Sequence, residues 1–200
     1  RKPMTIADHQ ASRYIVDPLR LFDCALESDG GGAVLVTSAA RAGDFPKRPV
    51  AILGMGQHHP HFSLMDAPSL TTLGGKKSSE LAYKMAGLAP KDMDFAEIYD
   101  CFTITTMITL EDYGFCKKGE GKDFVKNGRI EVGGELPVNT HGGLLSQAHI
   151  EGMLHVTEAA RQLRGNEVEP ERQVKNAKTG IVSGHGGSLC MHASLILGAL

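Results

Sequence analysis

The chain has 200 residues, of which 42% are apolar and 22% are charged, and its formal net charge at pH 7 is −2. This length supports one large domain with a sizeable core, and the near-neutral charge gives no reason to expect a nucleic acid or an anionic membrane as partner. No apolar run is long enough to span a membrane. The chain opens at Arg1 with neither an initiator Met nor a signal peptide, so we expect a fragment or a processed chain.

The four cysteines are spread along the chain without a C-x-x-C pair. This spacing indicates neither a disulfide framework nor a zinc ribbon, and it suits a reducing compartment, so we predict a cytoplasmic protein. Cys101 and Cys190 are interpreted as small core residues. His58, His59 and His61 flank Pro60 without a cysteine or carboxylate at ligand spacing. We therefore predict an exposed loop and no metal site there, with a histidine-rich metal protein as the alternative.

The first half of the chain combines irregular segments with short apolar runs. Residues 1–24 show no lasting period, residues 29–32 predict a glycine turn, and residues 33–37 and 50–56 predict buried strands. A helix is predicted over 78–87, a strand over 93–99 and a helix over 102–113. Tyr99 and Asp100 lie where that strand hands over to the helix, which is where α/β proteins place chemistry.

The second half is organised around a polar loop at residues 135–149. Before it, residues 114–134 are rich in Lys, Gly and Glu and predict an exposed excursion, a candidate lid. After it, the apolar spacing predicts one long helix over 144–163, with His149 on its first turn, where the helix dipole favours a neutral imidazole and an anionic ligand atom. The alternative is a helix start capped by Ser146, with exposed histidines. The loop's candidate site residues are Asn139, His141, Gly142, Gly143 and His149.

The C-terminal segment predicts an antiparallel hairpin. Its strands are expected at 179–183 and 188–197, joined by a tight turn at 184–187 that carries His185. His185 has the alternative of being a turn residue only. His155 and His192 are interpreted as packing or surface residues. The alternation of strands and helices, with this hairpin, predicts an α/β protein with a mixed sheet covered by helices.

Three polar stretches are expected to meet at one edge of that sheet. They are the pair Tyr99 and Asp100, the loop from Asn139 to His149, and His185. Such side chains donate hydrogen bonds and move protons, which suits the stabilisation of an enolate or an oxyanion. Neither G-x-x-x-x-G-K-[ST] nor a G-x-G-x-x-G after a strand is present, so a phosphate-binding loop is not indicated.

At these stretches the sequence resembles the C-terminal half of the thiolase superfamily, and more narrowly the sterol-carrier-protein-type thiolases and lipid-transfer-protein aldolases. The family's Asn-Glu-Ala-Phe motif corresponds to residues 99–102, and its Asn-x-x-Gly-Gly motif is met by residues 139–143. Its Gly-His-Pro motif falls on residues 148–150, which keep only His149. Its Cys-x-Gly-x-Gly motif falls on residues 182–186, which keep the glycines and lose the cysteine.

The resemblance implies a thiolase-like fold whose C-terminal βαβαβαββ half occupies residues 46–200, with the end of the N-terminal half at residues 1–45. It implies that His149 binds the thioester oxygen and that Tyr99 or His185 moves the proton, because the family cysteine has no match and the family asparagine has become Tyr99. It further implies a homodimer, a coenzyme A thioester as substrate without a separate cofactor, and a small zinc-ribbon/OB-fold acyl-CoA-binding partner. The implied substrate-binding residues are Asn139, His141, Gly142, Gly143 and Asp100.

We therefore expect an acyl-CoA-dependent enzyme that forms or cleaves a carbon–carbon bond, similar to an acetyl-CoA acetyltransferase. Tyr99 favours a first alternative, because aldolases similar to thiolases use tyrosine in retro-aldol cleavage of acyl-CoA side chains. A second alternative is a non-catalytic acyl-CoA- or lipid-binding protein, which the missing cysteine and the altered Gly-His-Pro motif favour.

Overall fold

A computed structural model describes residues 3–200, and its centre is a four-stranded mixed sheet of order β3-β6-β5-β4. A separate antiparallel pair, β1 and β2, lies near the N-terminus. In the main sheet β4 pairs with β5 in parallel, whereas β6 pairs antiparallel with both β5 and β3. The strands are β1 Tyr14–Val16, β2 Leu19–Arg20, β3 Val50–His58, β4 Phe95–Glu97, β5 Thr179–Gly186 and β6 Met191–Ala199. The predicted C-terminal hairpin is confirmed.

Helices cover both faces of the sheet. The α-helices are α1 Ile6–Ala11, α2 Gly75–Ala86, α3 Thr103–Asp112, α4 Gly121–Phe124, α5 Gly143–Ser146 and α6 Met153–Arg164. Short 3-10 helices span Leu21–Asp23, Ala39–Asp44, Leu64–Asp66 and Pro90–Asp92. The predicted elements at 50–56, 78–87, 93–99 and 102–113 correspond to β3, α2, β4 and α3 and are confirmed, with ends that differ by at most three residues.

The core divides into two clusters because successive residues of a strand point to opposite faces. Ile181 of β5 packs in one cluster with residues of α2 and α3, whereas the next residue, Val182, packs in the other with residues of α6. Helix α2 lies directly on the backbone of β3, since a Cβ at Gly56 would stand 2.0 Å from the carbonyl oxygen of Ser78. The ends of β4 and β5 thus lie at the edge of the sheet next to the polar loop at residues 135–149.

Two predictions for the N-terminal segment are wrong. Residues 33–37 form no strand, because they pair with no other strand among residues 3–200; Leu35 is 72% exposed. Residues 29–32 form no turn either. Instead Gly30 and Gly32 lie against residues at the start of α6 and just before it: a Cβ at Gly30 would approach Ile150 Cγ2 to 2.9 Å, and one at Gly32 would approach Met153 Cγ to 2.8 Å.

The long helix predicted over 144–163 is also wrong, because the chain leaves the helical path between α5 and α6. Glu151, in this break, has a φ of 57°, in the left-handed region that interrupts a helix. The excursion at 114–134 is not wholly exposed, since it contains α4, whose Phe124 is buried in the core. Strand β5 continues through Gly186, so His185 lies on a strand and the turn begins after it.

Candidate active site

Tyr99 lies two residues beyond the end of β4 and is held there by β5. Its backbone N–H donates to Ser183 Oγ at 2.9 Å, and its carbonyl oxygen accepts from His185 Nε2 at 2.8 Å. A carbonyl can only accept, so the His185 proton is assigned to Nε2. The imidazole of His185 also meets the Tyr99 ring edge-on, with centroids 4.8 Å apart. Backbone and ring of Tyr99 are therefore fixed on the sheet.

The Tyr99 hydroxyl stands between an imidazole and a carboxylate. Its oxygen is 3.1 Å from His149 Nε2 and 2.9 Å from Glu151 Oε2. Burial raises the pKa of the Tyr99 phenol, and the hydrogen bond and charge of Glu151 raise it further. The phenol is thus protonated near neutral pH.

His149 reaches Tyr99 from the break between α5 and α6, so its predicted place on the first turn of a helix is wrong. The backbone N–H of His149 donates to Ser28 Oγ at 3.3 Å, and His149 forms an isolated parallel bridge with Glu27. The N-terminal segment therefore holds the loop that carries His149. The side chain is half-buried and its Nε2 points to the phenol rather than along a helix axis.

Asp100 anchors the polar loop through its carboxylate. Its carboxylate accepts from the backbone N–H groups of Leu144 at 2.7 Å and Leu145 at 3.3 Å, and it lies 3.2 Å from His155 Nε2. Gly143 has a φ of 62°, and a Cβ there would stand 2.1 Å from Asp100 Oδ2. The glycine is thus required by the approach of a carboxylate of the same chain.

Asn139 and Gly142 shape the start of the loop. The Asn139 side chain accepts from the N–H of Ile98 at 2.6 Å and donates to the carbonyl of Ile98 at 2.8 Å. The φ values are 51° at Asn139 and 105° at Gly142, a region that asparagine and glycine adopt more readily than other residues. Asn139 therefore clamps the loop to the strand end that carries Tyr99.

A buried polar network lies behind the loop. Thr140 Oγ1 stands 2.8 Å from Glu97 Oε1 and 2.9 Å from Glu158 Oε1. His141 Nδ1 lies 3.0 Å from Glu97 Oε2, but their directions do not satisfy hydrogen-bond geometry, so within residues 3–200 neither atom has a partner. A small rotation of the His141 ring would complete this hydrogen bond. The His141 ring meets His155 edge-on.

His155 and His192 are not surface residues. His155 is fully buried against Asp100, and His192 lies 3.1 Å from the Tyr113 hydroxyl and 5.0 Å, ring to ring, from His185. Burial lowers the pKa of His185 to about 4 and that of His192 to about 3, each assisted by a neighbouring imidazole. Both rings are therefore neutral near pH 7, and His185 serves as a hydrogen-bond donor to Tyr99.

No cysteine among residues 3–200 forms a hydrogen bond with Tyr99, His149 or His185. Cys190 is buried in the turn after β5, and burial raises the pKa of the Cys101 thiol and, to about 11, that of Cys116. The Cys101 and Cys116 thiols are therefore protonated near neutral pH and are weak nucleophiles. No group of three or more metal-ligating side chains within residues 3–200 could hold a metal ion.

The structure brings together three of the sequence-predicted side chains, Tyr99, His149 and His185. Asp100, Asn139 and Gly143 hold the polar loop in place, and His141 faces the buried network. Sequence reasoning missed Glu151, His155 and Glu97. The helical spacing around Glu151 gave no signal of a turn, and the other two contacts are set by tertiary packing.

Residues 56–199 match the family model described as thiolase C-terminal domain-like. The chain belongs to this family, and the α/β thiolase-like fold expected from the sequence is confirmed. The domain boundary expected between residues 45 and 46 stays a prediction. Within residues 3–200, no helix has the length and hydropathy needed to cross a bilayer.

The relatives include enzymes of two kinds. A 17-hydroxy-3-oxo-4-pregnene-20-carboxyl-CoA lyase of Mycobacterium tuberculosis is 48% identical over 90% of this chain and 49% of its own length. An acetyl-CoA acetyltransferase of Methanothermobacter thermautotrophicus is 35% identical over 95% of this chain and 51% of its own. A solved structure of an Ltp2-ChsH2(DUF35) aldolase superposes with a TM-score of 0.91 at 40% identity, covering 99% of this chain and 52% of that one. The chain thus spans about half the length of these relatives.

Proposed function

We propose that the full-length protein cleaves a carbon–carbon bond beside a coenzyme A thioester by a retro-aldol reaction. The observation that carries this proposal is the Tyr99 hydroxyl, held between His149 Nε2 and Glu151 Oε2 at a strand end where the thiolase resemblance implies an asparagine. A positioned phenol is an acid/base group. The names of the lyase and aldolase relatives support the same reaction class.

The proposed substrate class is a 3-hydroxyacyl-CoA. Tyr99 takes the proton of the 3-hydroxyl group, the electrons of that O–H bond form a carbonyl, and the C2–C3 bond breaks to leave a thioester enolate. The Nε2–H of His149, which lies 3.1 Å from the phenol oxygen, is shared with the enolate oxygen, where negative charge develops. The enolate carbon then takes a proton from Tyr99, so that a shorter acyl-CoA and a ketone or aldehyde leave.

The other predicted site residues serve this reaction indirectly. We propose that Asn139, Gly142, Gly143 and Asp100 bound the substrate pocket by fixing the loop, and that His185 holds Tyr99 in place. His141 is proposed to support the same loop through its edge-on contact with the buried His155 ring. Coenzyme A enters as part of the substrate, and no separate cofactor is proposed.

Acyl transfer of the acetyl-CoA acetyltransferase type is the second candidate, supported by the methanogen relative and by the retention of His149. It would need an acyl-accepting cysteine outside this chain, because the family's second cysteine has no match here and the thiols at Cys101 and Cys116 are held protonated. The geometry around Tyr99 favours the retro-aldol reaction.

Intact-mass and product analysis of the full-length protein separates these reactions. After brief exposure to 3-hydroxyacyl-CoA and saturated acyl-CoA, we expect a shorter acyl-CoA and a carbonyl compound from the former, and an unchanged protein mass. A mass gain equal to the acyl group on a cysteine, without carbonyl product, would replace the proposal with acyl transfer. Neither adduct nor cleavage across the panel would favour the acyl-CoA- or lipid-binding alternative.

We also propose that the full-length protein works as a homodimer with a small acyl-CoA-binding partner of the zinc-ribbon/OB-fold type. The name of the solved aldolase structure supports a second component, since it joins Ltp2 and ChsH2(DUF35); the homodimer rests on the thiolase resemblance. The proposed location is the cytoplasm, as the cysteine usage of the sequence suggests.

A further inference from the structure

We propose that Glu151 is the positioning residue that sets the protonation of Tyr99 and receives its proton during turnover. This inference rests on the proposed function. A phenol that is still protonated cannot accept a second proton from a substrate hydroxyl. It acts as a base only if its own proton moves to another acceptor in the same step.

The hydrogen-bond directions around Tyr99 identify that acceptor. The phenol has one hydrogen and can accept at its oxygen, whereas an ionised carboxylate can only accept. The Tyr99 proton therefore points to Glu151 Oε2, 2.9 Å away, and His149 Nε2 donates to the phenol oxygen at 3.1 Å. The resulting order is His149 N–H to Tyr99 O–H to Glu151.

Burial supports the same order. Tyr99 is 6% exposed, whereas Glu151 lies at the surface. Glu151 also lines an open groove of about 1040 Å³ beside the strand ends. A proton passed from Tyr99 to Glu151 thus moves from a buried group to one that water can reach.

The backbone at Glu151 is a second, independent observation. Its φ of 57° is uncommon for a residue with a long side chain. Such a conformation costs of order 1–3 kcal/mol and persists where the surrounding structure enforces it, frequently at functional sites. Here the neighbouring residues Ile150 and Gly152 pack on the Gly30 segment and on the Tyr99 ring, which directs the carboxylate toward the phenol.

The step needs no proton donor or acceptor other than the substrate, Tyr99 and Glu151. As the substrate 3-hydroxyl gives its proton to the Tyr99 oxygen, the Tyr99 proton moves to Glu151 Oε2 and the C2–C3 electron pair forms the enolate. Tyr99 then protonates the enolate carbon, and Glu151 returns its proton to Tyr99. The net result is that the hydroxyl proton of the substrate resides on carbon in the product.

The test is Glu151→Gln in the full-length protein, with Glu171→Gln as an exposed-carboxylate control. The glutamine keeps the backbone and the side-chain length but is not a proton acceptor. We expect kcat for 3-hydroxyacyl-CoA cleavage to fall by about 10²-fold with little change in KM, the pH–rate profile to shift, and Glu151→Asp to restore part of the activity. Wild-type kcat and an unchanged pH profile in Glu151→Gln would overturn the inference.

A second readout is independent of turnover. Ultraviolet titration of phenolate absorbance, taken as the difference from Tyr99→Phe, follows the ionisation of Tyr99 alone. Loss of the Glu151 charge removes one cause of the raised pKa, so Glu151→Gln should lower the Tyr99 pKa. If the wild-type protein cleaves no substrate, the proposed function fails, and this titration still decides whether Glu151 controls Tyr99: a lowered pKa supports the inference and an unchanged one overturns it. The other titratable groups that face Tyr99 are His149, His155, His185, Asp100 and Cys101.

Discussion

Tyr99 takes its chemical character from the residues around it. The sheet fixes its backbone through Ser183 and His185, and its hydroxyl lies between His149 and Glu151. The sequence alone identified Tyr99, His149 and His185 as proton-moving candidates because each stands in a polar stretch at the end of an apolar run. It could not identify Glu151, because the contact depends on a backbone conformation that the helical spacing around it hides.

His185 should make the stability of the protein depend on pH. Its pKa is about 4 in the folded protein, compared with 6.5 for a solvated histidine. As the pH falls, the unfolded chain therefore binds a proton first, so the stabilisation is complete above about pH 6.5 and is lost progressively down to about pH 4. The expected loss from this residue is about 3 kcal/mol.

Urea unfolding of the full-length protein between pH 7 and pH 4 measures this dependence. His185→Gln keeps an N–H donor for the Tyr99 carbonyl but does not titrate, so its free energy of unfolding should vary less over that interval. The exposed His59→Gln serves as control. If His185→Gln showed the same pH dependence as the wild type, the buried neutral imidazole would be the wrong account.

At the scale of elements, the break between α5 and α6 determines the site. The apolar spacing of Met153, Val156, Ala160 and Leu163 led to the prediction of one helix from Leu144 onward, yet the chain turns out of the helix at residues 147–152 and brings His149 beside Tyr99. The N-terminal segment around Ser28 stabilises the turn from the other side. Long-range packing therefore overrides the local pattern here, whereas β3, α2, α3 and the hairpin follow their local patterns and could be predicted.

Gly143→Ala tests how α5 is anchored. The new Cβ would collide with the Asp100 carboxylate, which accepts from two backbone N–H groups of α5. We expect a loss of at least about 2 kcal/mol of unfolding free energy in the full-length protein, together with loss of cleavage activity, because the loop must shift.

Gly87→Ala is the matched control, since its φ of 67° is similar to the 62° of Gly143 but its Cβ would meet nothing within 4 Å. That substitution should cost only about 1 kcal/mol, the price of a left-handed backbone. Equal losses in chemical unfolding of the two variants would show that the Asp100 contact contributes nothing.

At the scale of the whole molecule, the sequence predicted the fold class and the family, because four motifs occur in the right order on alternating strands and helices. It could not give the exposed surfaces. Residues 34–36 and the groove beside β3 and α2 expose Leu35, Met55 and Met85 by more than half.

Tyr99 is the proton-moving group on which the proposed retro-aldol reaction depends. The most direct test is the rate of 3-hydroxyacyl-CoA cleavage by full-length Tyr99→Phe, compared with the wild type and with Tyr83→Phe, which removes a buried hydroxyl away from the site. We expect Tyr99→Phe to lose about 10²-fold or more in kcat while it stays folded, and Tyr83→Phe to retain wild-type turnover. Wild-type cleavage by a folded Tyr99→Phe would contradict the account.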